Sequence, residues 1–350
     1  MRIVYMGTPD FAAASLKTLI ASPDHQVLAV FTQPDKPKGR GKAMQFPPVK
    51  ETALEAGLPV YQPAKIRDEE VLQLLKDLNP DAIVVAAYGQ ILPASILHLP
   101  RYGCINLHAS LLPHLRGAAP VQWSVILGDA ESGVTTMLMN EGLDTGDMLE
   151  TIRVPLAADE TGGSLFDKLT EASCQVMLTT LKGLEEGSIR PVPQEGPSTY
   201  AGMLTKETGR IHWKGSAEEI ERLIRGLNPW PSAYSYLDGK MIKFWAARVV
   251  KADPADQSDE SVKADPADQS DRTEQACPAD QSDLTEKTTR PVPGTIIRAD
   301  KHTFTVLCGK DALEVTEVQA AGKKRMPADA WMRGAGQILG KTFTETDGRQ

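Results

Sequence analysis

CINLHASLLPHLRGAAPVQW, residues 104–123, sets an asparagine and a histidine two positions apart at the end of an otherwise buried strand. Core strands of α/β proteins are mostly Val, Ile and Leu, so a polar pair there needs a reason. Side chains at i and i+2 of a strand share a face, and Asn106 and His108 therefore project together. The Leu-Leu-Pro that follows breaks the strand into a loop, and Arg116-Gly117 turns the chain again. The C-terminal ends of strands are where open α/β sheets bind their ligands. Downstream, NEGLDTGDML (140–149) sets Asp144 between Gly142 and Gly146, in a turn that can aim a carboxylate. An amide, an imidazole and a carboxylate suit three tasks: a donor to a developing oxyanion, a proton carrier and an orienter of that carrier. Asn106, His108 and Asp144 are the candidate catalytic residues.

Two nucleophiles in the same stretch fail on geometry. Cys104 shares the face by parity, but it lies two same-face steps from His108, each ~6.5–7 Å, beyond hydrogen-bond reach. It reads as core. Ser110 has no G-x-S-x-G setting around it.

Outward from this strand, RIVYMG, QVLAVFT and DAIVVAAY are further continuous apolar runs, the mark of buried parallel strands. Helical patterns at 9–22, 48–57 and 68–78 lie between them, so right-handed crossovers and a doubly wound, mostly parallel, Rossmann-like sheet are expected. GTPDFAA after the first strand lacks the further glycines of a dinucleotide fingerprint. A long helix near 163–185 closes a first domain, 1–186. GSIRPVPQEGPSTYAG then reads as an extended linker, 187–204. In the remainder, 205–350, a helix near 216–227 and short strands near 233–249, 294–299, 303–308 and 311–319 suggest a small, OB-like β-barrel. That domain is interrupted at 251–287, where a twelve-residue unit repeats: KADPADQSDESV, KADPADQSDRTE, QACPADQSDLTE. Each unit has almost nothing apolar to bury, so a disordered acidic excursion is expected rather than a solenoid.

The net charge of −8 conceals a division. Residues 204–250 and 288–350 carry 18 basic and 12 acidic side chains, while both 1–203 and 251–287 are acidic. A basic module thus sits behind an acidic tract, and the overall sign does not exclude a nucleic-acid partner. Four cysteines without C-x-x-C spacing suggest reduced thiols in the cytoplasm, and scattered histidines give no metal site. The N-terminus reads as a first strand rather than a signal peptide, and no run approaches the ~18 apolar residues of a membrane span. QPDKPKGRGKAMQFPP (33–48) places Lys36, Lys38, Arg40 and Lys42 among glycines, as an exposed basic loop suited to phosphates.

NLHASLLPHLRGAAPVQW with GLDTGDML resembles the folate-dependent formyltransferases, and GTPDFA, FTQPDKPKGRGK, VVAAYGQILP and RLIRGLNPWPSA follow in the family's order across nearly the whole chain. The twelve-residue repeats do not belong to that pattern. The resemblance implies transfer of formyl from N10 of 10-formyltetrahydrofolate, without a metal, to the α-amino group of methionine esterified to initiator tRNA, in translation initiation. It implies that Asn106 bonds the oxyanion, that His108 stabilises it or moves protons, and that Asp144 orients His108 or a water. Ser110, Leu111, Leu112 and Pro113 would line the folate. Lys36, Lys38, Arg40 and Lys42, with Lys206 and Arg210 at the start of the second domain, would meet tRNA, Arg40 entering the acceptor stem. A monomer is expected. The alternative acceptor is an amino-sugar nucleotide; the basic 36–42 loop favours tRNA.

Overall fold

The computed structural model describes residues 1–38, 43–252 and 291–348. Two compact units emerge: Met1–Lys206 with Arg225–Pro231, and Glu207–Ile224 with Ser232–Gln350.

In the first unit the elements run β1 (Arg2–Gly7), α1 (Asp10–Ala21), β2 (Gln26–Phe31), β3 (Lys36–Lys38), β4 (Ala43–Gln45), α2 (Pro48–Glu55), β5 (Val60–Tyr61), α3 (Glu69–Leu78), β6 (Ala82–Ala86), α4 (Ala94–Leu97), β7 (Cys104–His108), β8 (Arg116–Gly117), α5 (Pro120–Leu127), β9 (Glu131–Leu138), β10 (Met148–Pro155), α6 (Gly162–Glu186) and β11 (Tyr200–Ala201). Seven strands form one sheet in the order β10-β9-β7-β6-β1-β2-β5. The five from β7 to β5 are parallel. The sheet is doubly wound, as the apolar runs imply: Ile3 and Tyr5 of β1 pack towards α1, α2 and α6, whereas Val4 and Met6 pack with Leu75 of α3 and Ile96 of α4. Parity alone separates these two cores. Long α6 begins at Thr161, whose hydroxyl accepts from Ser164 N while Ser164 Oγ accepts from Thr161 N, and it ends at Gly187, φ 69°. These reciprocal bonds satisfy amides that the first turn leaves unpaired.

Strands β9 and β10 have no counterpart in the sequence reading. Both run antiparallel, β9 against β7 and β10 against β9. Their sequences, ESGVTTML and MLETIRVP, interrupt the apolar pattern: β9 buries Thr135 and Thr136, and β10, at the sheet edge, alternates half-buried and exposed residues from Glu150 onwards. The basic loop also has more structure than expected: Lys36–Lys38 and Ala43–Gln45 pair as a two-stranded antiparallel ribbon. The ribbon's base is held by Lys50, whose ammonium donates to Asp35 (2.7 Å) and to Gln62 Oε1 (2.8 Å) and lies over the Phe46 ring. Lys50 and Gln62 together hold the Asp35 carboxyl below the usual carboxylate range. Arg40 and Lys42 lie outside the described residues.

The second unit contains α7 (Ala217–Gly226, whose last two residues belong to the first unit), β12 (Ala233–Leu237), β13 (Lys240–Val250), β14 (Ile296–Ala299), β15 (Phe304–Leu307), β16 (Ala312–Ala320), β17 (Met326–Pro327) and α8 (Ala328–Ala335). The antiparallel sheet has the order β12-β13-β16-β15-β14. Its two ends are joined through the C-terminal segment. Ile296 N donates to Lys341 O and Phe343 N to Gly294 O, while Tyr236 and Thr344 exchange main-chain bonds. Phe343 is thereby carried into an aromatic core, 5.5 Å from Trp213, 5.3 Å from Phe244 and 6.2 Å from Phe304. The acidic repeat falls almost wholly on 253–290, outside the described residues. Among the described residues, no helix is long and apolar enough to cross a membrane.

The β9–β10 pairing leaves no space at Gly133, where a Cβ would sit 2.2 Å from Ile152 O and 2.4 Å from Leu111 Cδ2. Gly133→Ala is expected to cost about 1–3 kcal/mol, as overpacking does, and to lower Tm by roughly 2–4 °C per kcal/mol. Calorimetry showing an unchanged Tm would mean that these strands separate easily.

Candidate active site

A hollow of about 670 Å³ in the first unit opens at the ends of β6 and β7. Its walls come from α1 (Phe11), the 87–92 connection, β7, residues 117–122, the 139–144 connection, α6 (Phe166) and Tyr200. Phe11 and Phe166 meet at 6.1 Å and make an apolar wall, while Ile91 and Leu143 remain 84% and 58% exposed at its rim. The 87–92 connection is pinned from behind, because Gln90 accepts from Ile66 N and donates to Pro63 O.

Asn106, His108 and Asp144 all line this hollow. The Asn106 amide faces the space and has no protein partner among the described residues. His108 is 6% exposed. Its Nε2 lies 2.9 Å from Leu115 O; a carbonyl can only accept, so Nε2 carries the proton and Nδ1 of the neutral ring is a free acceptor. Nδ1 lies 3.7 Å from Asp144 Oδ1. That separation is too long for a hydrogen bond but close enough for charge pairing. The other Asp144 oxygen accepts from Gly117 N at 2.8 Å.

The orienter of the imidazole is therefore the Leu115 carbonyl, and Asp144 stands at the opposite nitrogen. Leu115 holds a left-handed φ of 58° although it is 1% exposed, a conformation that costs about 1 kcal/mol or more outside glycine. Its N–H donates to Thr199 Oγ1 at 2.8 Å. Thr199 belongs to the segment that composition marks as a linker. That segment is tied to the site along its length: Arg116 N donates to Thr199 O, Ala118 N to Ala201 O, Trp123 Nε1 to Gly202 O, and Tyr200–Ala201 pairs with Arg116–Gly117. Leu115, Gly117 and Thr199 escaped the sequence reading because a main-chain carbonyl or amide has no signature of its own. The positive φ of 111° at Gly117 and the Ala201 O only 2.7 Å from where its Cβ would be explain the glycine.

Ser110, Leu111, Leu112 and Pro113 do not line the hollow. Ser110 is 1% exposed and donates to His114 O at 2.6 Å, and Leu112 N donates to Thr135 Oγ1 at 3.3 Å. The Ser110 hydroxyl is thus engaged within the bend and the Leu112 amide with β9. Lys36 and Lys206 are exposed. Arg210 is half-buried and engaged with the Tyr234 hydroxyl, which holds its guanidinium protonated more firmly than usual. Cys104 is wholly buried, its thiol pushed up to about 12 by burial.

Residues 1–181 match the family model described as formyl transferase, and 203–336 the one described as formyl transferase, C-terminal domain. The methionyl-tRNA formyltransferase of Lachnospira eligens is 49% identical over 346 residues, covering 97% of this chain and all of that protein. That of Agathobacter rectalis is 48% identical, covering 98% of this chain and all of its own. Among solved structures, the sugar 3N-formyl transferase WlaRD superposes with a TM-score of 0.60 at 14% identity, over 93% of this chain and 99% of its own. HypX from Aquifex aeolicus in complex with tetrahydrofolic acid gives 0.55 at 14% identity, over 98% of this chain and 50% of its own. At such identities these two likenesses speak for the fold alone.

A buried thiol of this kind takes no part in chemistry. Cys104→Ala is expected to keep turnover within about twofold of the parent, and iodoacetamide at neutral pH to leave Cys104 unmodified in the folded protein. Alkylation of Cys104 with loss of activity would reverse this view.

Proposed function

This chain belongs to the formyl transferase family, alongside the methionyl-tRNA formyltransferases that it matches from end to end, and on that premise we infer how its residues act. The reaction is transfer of formyl from 10-formyltetrahydrofolate to the α-amino group of methionine esterified to initiator tRNA, the step that prepares the tRNA for translation initiation. The observation that carries the reading is the convergence of Asn106, His108 and Asp144 on one hollow in a chain so similar over its full length to enzymes of that name. The sugar N-formyltransferases, at 13–21% identity, share the fold and give no comparable reason to prefer an amino-sugar acceptor.

The hollow suits the formyl donor. Its volume of about 670 Å³ lies within the range of cofactor sites, one wall is apolar, and the unpaired Asn106 amide awaits an acceptor. The donor supplies an activated formyl carbon. Residues 87–92, with Phe11 and Phe166 opposite, are assigned to its ring system, in place of the Ser110–Pro113 bend. Asn106 donates to the formyl oxygen as negative charge gathers there when the amine attacks. Such a donor is typically worth about 10²–10³ in rate. His108 Nδ1, held free by the Leu115 bond, accepts the proton that the attacking amine must lose and returns it to the departing nitrogen. While it carries that proton the ring is positive, and Asp144 stabilises it across 3.7 Å. General acid–base help of this kind contributes about 10²–10⁴.

Acceptor recognition is assigned to the basic 36–42 stretch, Arg40 above all, and to the basic second unit, with Lys206 at its approach. Arg210 is withdrawn from that assignment by its bond to Tyr234. The chain is proposed to work as a monomer in the cytoplasm.

Asn106→Ala and Asp144→Ala are each expected to lose about 10²–10³ of kcat while retaining Tm and donor affinity. Turnover near the parent's in either would remove that residue from the mechanism. A second measurement addresses the acceptor. Arg40→Ala should raise KM for initiator tRNA without changing donor KM, and log affinity for tRNA should fall linearly with log salt, with a slope near −0.7 to −0.9 per phosphate contact. A flat salt response, or an unaltered KM, would show that the charged surfaces are incidental to docking.

A further inference from the structure

Gln194 touches neither the hollow nor the reacting groups, yet one side-chain amide makes four hydrogen bonds there. Nε2 donates to Asp144 O at 2.9 Å and to Gly146 O at 2.8 Å, and Oε1 accepts from Arg116 Nε at 3.1 Å and from Arg116 Nη2 at 2.6 Å. Both halves of the amide are satisfied, and each half holds a different segment. One is the turn that carries Asp144. The other is the turn whose next residue, Gly117, donates its N–H to the Asp144 carboxylate. The same amide therefore clamps the two pieces of chain whose contact sets the carboxylate's position.

The clamp has something to oppose. Asp144 stands at φ 52°, in the left-handed region, and without an anchor its turn would relax towards ordinary backbone. From the other side Gly146 is pressed on β9, where a Cβ would lie 1.9 Å from Leu138 O. No other side chain of this length both donates twice and accepts twice. A glutamate would set a carboxylate against two carbonyl oxygens, and a leucine would leave two carbonyls and a guanidinium without partners.

We infer that Gln194 is a positioning residue for formyl transfer: from the linker, it fixes the Asp144 turn against Arg116–Gly117, so that the carboxylate stands at His108 Nδ1. The inference rests on the catalytic reading of Asp144 given above. It also assigns a task to Arg116, which holds Gln194 rather than a substrate phosphate.

The experiment uses the full chain with 10-formyltetrahydrofolate and methionyl initiator tRNA, and compares Gln194→Leu, Gln194→Glu and Asp144→Ala with the Gln194→Leu/Asp144→Ala double variant. Both Gln194 variants should lose roughly 10–100-fold in kcat, as a small misplacement of a catalytic group does, with both KM values within about twofold of the parent. The Gly117 amide should exchange with deuterium at least about tenfold faster. The double variant should be no slower than Asp144→Ala within about twofold, because one lost function cannot be lost twice. An unchanged Gly117 exchange rate, or losses that multiply in the double variant, would overturn the inference. If Asp144→Ala alone turned over like the parent, the catalytic reading of Asp144 would fall, and Gly117 exchange would decide on Gln194 by itself. Should Gln194→Leu not fold, Arg116→Met breaks the other half of the clamp and is read in the same way.

Discussion

His108 donates from Nε2 to the Leu115 carbonyl at 2.9 Å, and that bond governs what the rest of the cleft can do. It assigns the ring proton to the buried side and leaves Nδ1 as the basic atom facing the hollow. In the proposed mechanism the incoming amine needs that acceptor, and a ring turned over would offer an N–H instead. The bond is maintained against cost, because a buried leucine must hold a positive φ to present its carbonyl. Thr199 and the 200–201 pairing supply the compensation, fixing Leu115 and its neighbours from outside the sheet. Strain retained at a site and offset by surrounding bonds is the pattern expected where geometry serves chemistry.

The three polar groups are anchored unequally. Asn106 and His108 ride on a strand paired on both sides, with β6 and with β9, so the sheet itself sets their mutual position. Asp144 stands on a connection and depends on main-chain and side-chain bonds from Gly117 and Gln194. The geometry of the three groups is as rigid as the sheet for two of them and as rigid as a few hydrogen bonds for the third. A bond of that kind contributes about 1 kcal/mol net, so several must act together to hold a turn in a disfavoured conformation.

Much of this was legible in the chain. The parity of one strand predicted that Asn106 and His108 face one space and that Cys104, on the same face one step further back, is core. Continuous apolar runs gave four of the five parallel strands, and the two-residue β5 is too short to leave such a run. What stayed hidden shares a physical cause. Leu115 acts through its carbonyl and Gly117 through its amide, and every residue has both. Gln194 and Thr199 sit in a stretch rich in Pro, Gly and Ser, where composition describes how a chain behaves alone and not what it binds. Strands β9 and β10 were missed because β9 buries threonines that bond within the protein and the edge strand β10 admits Thr151 and Arg153 at its exposed positions, and both blur the apolar signal. For the Ser110–Pro113 bend, nearness in sequence to the strand that carries Asn106 and His108 left open which of its polar groups bond within the protein.

Polar atoms near a site divide into those already bonded within the protein and those with capacity to spare. A serine two residues beyond a catalytic histidine looks available for a substrate, but its hydroxyl is already spent on His114 O, and the neighbouring amide of Leu112 on Thr135. A buried polar atom satisfied within the protein stabilises a shape, and breaking its bond to serve a ligand would cost what the new bond returns. The atom with capacity to spare is the one that faces the space unpaired, and in this cleft that is the Asn106 amide. In the proposed transfer a donor amide at that place strengthens its bond as the formyl oxygen becomes more negative on the way to the transition state.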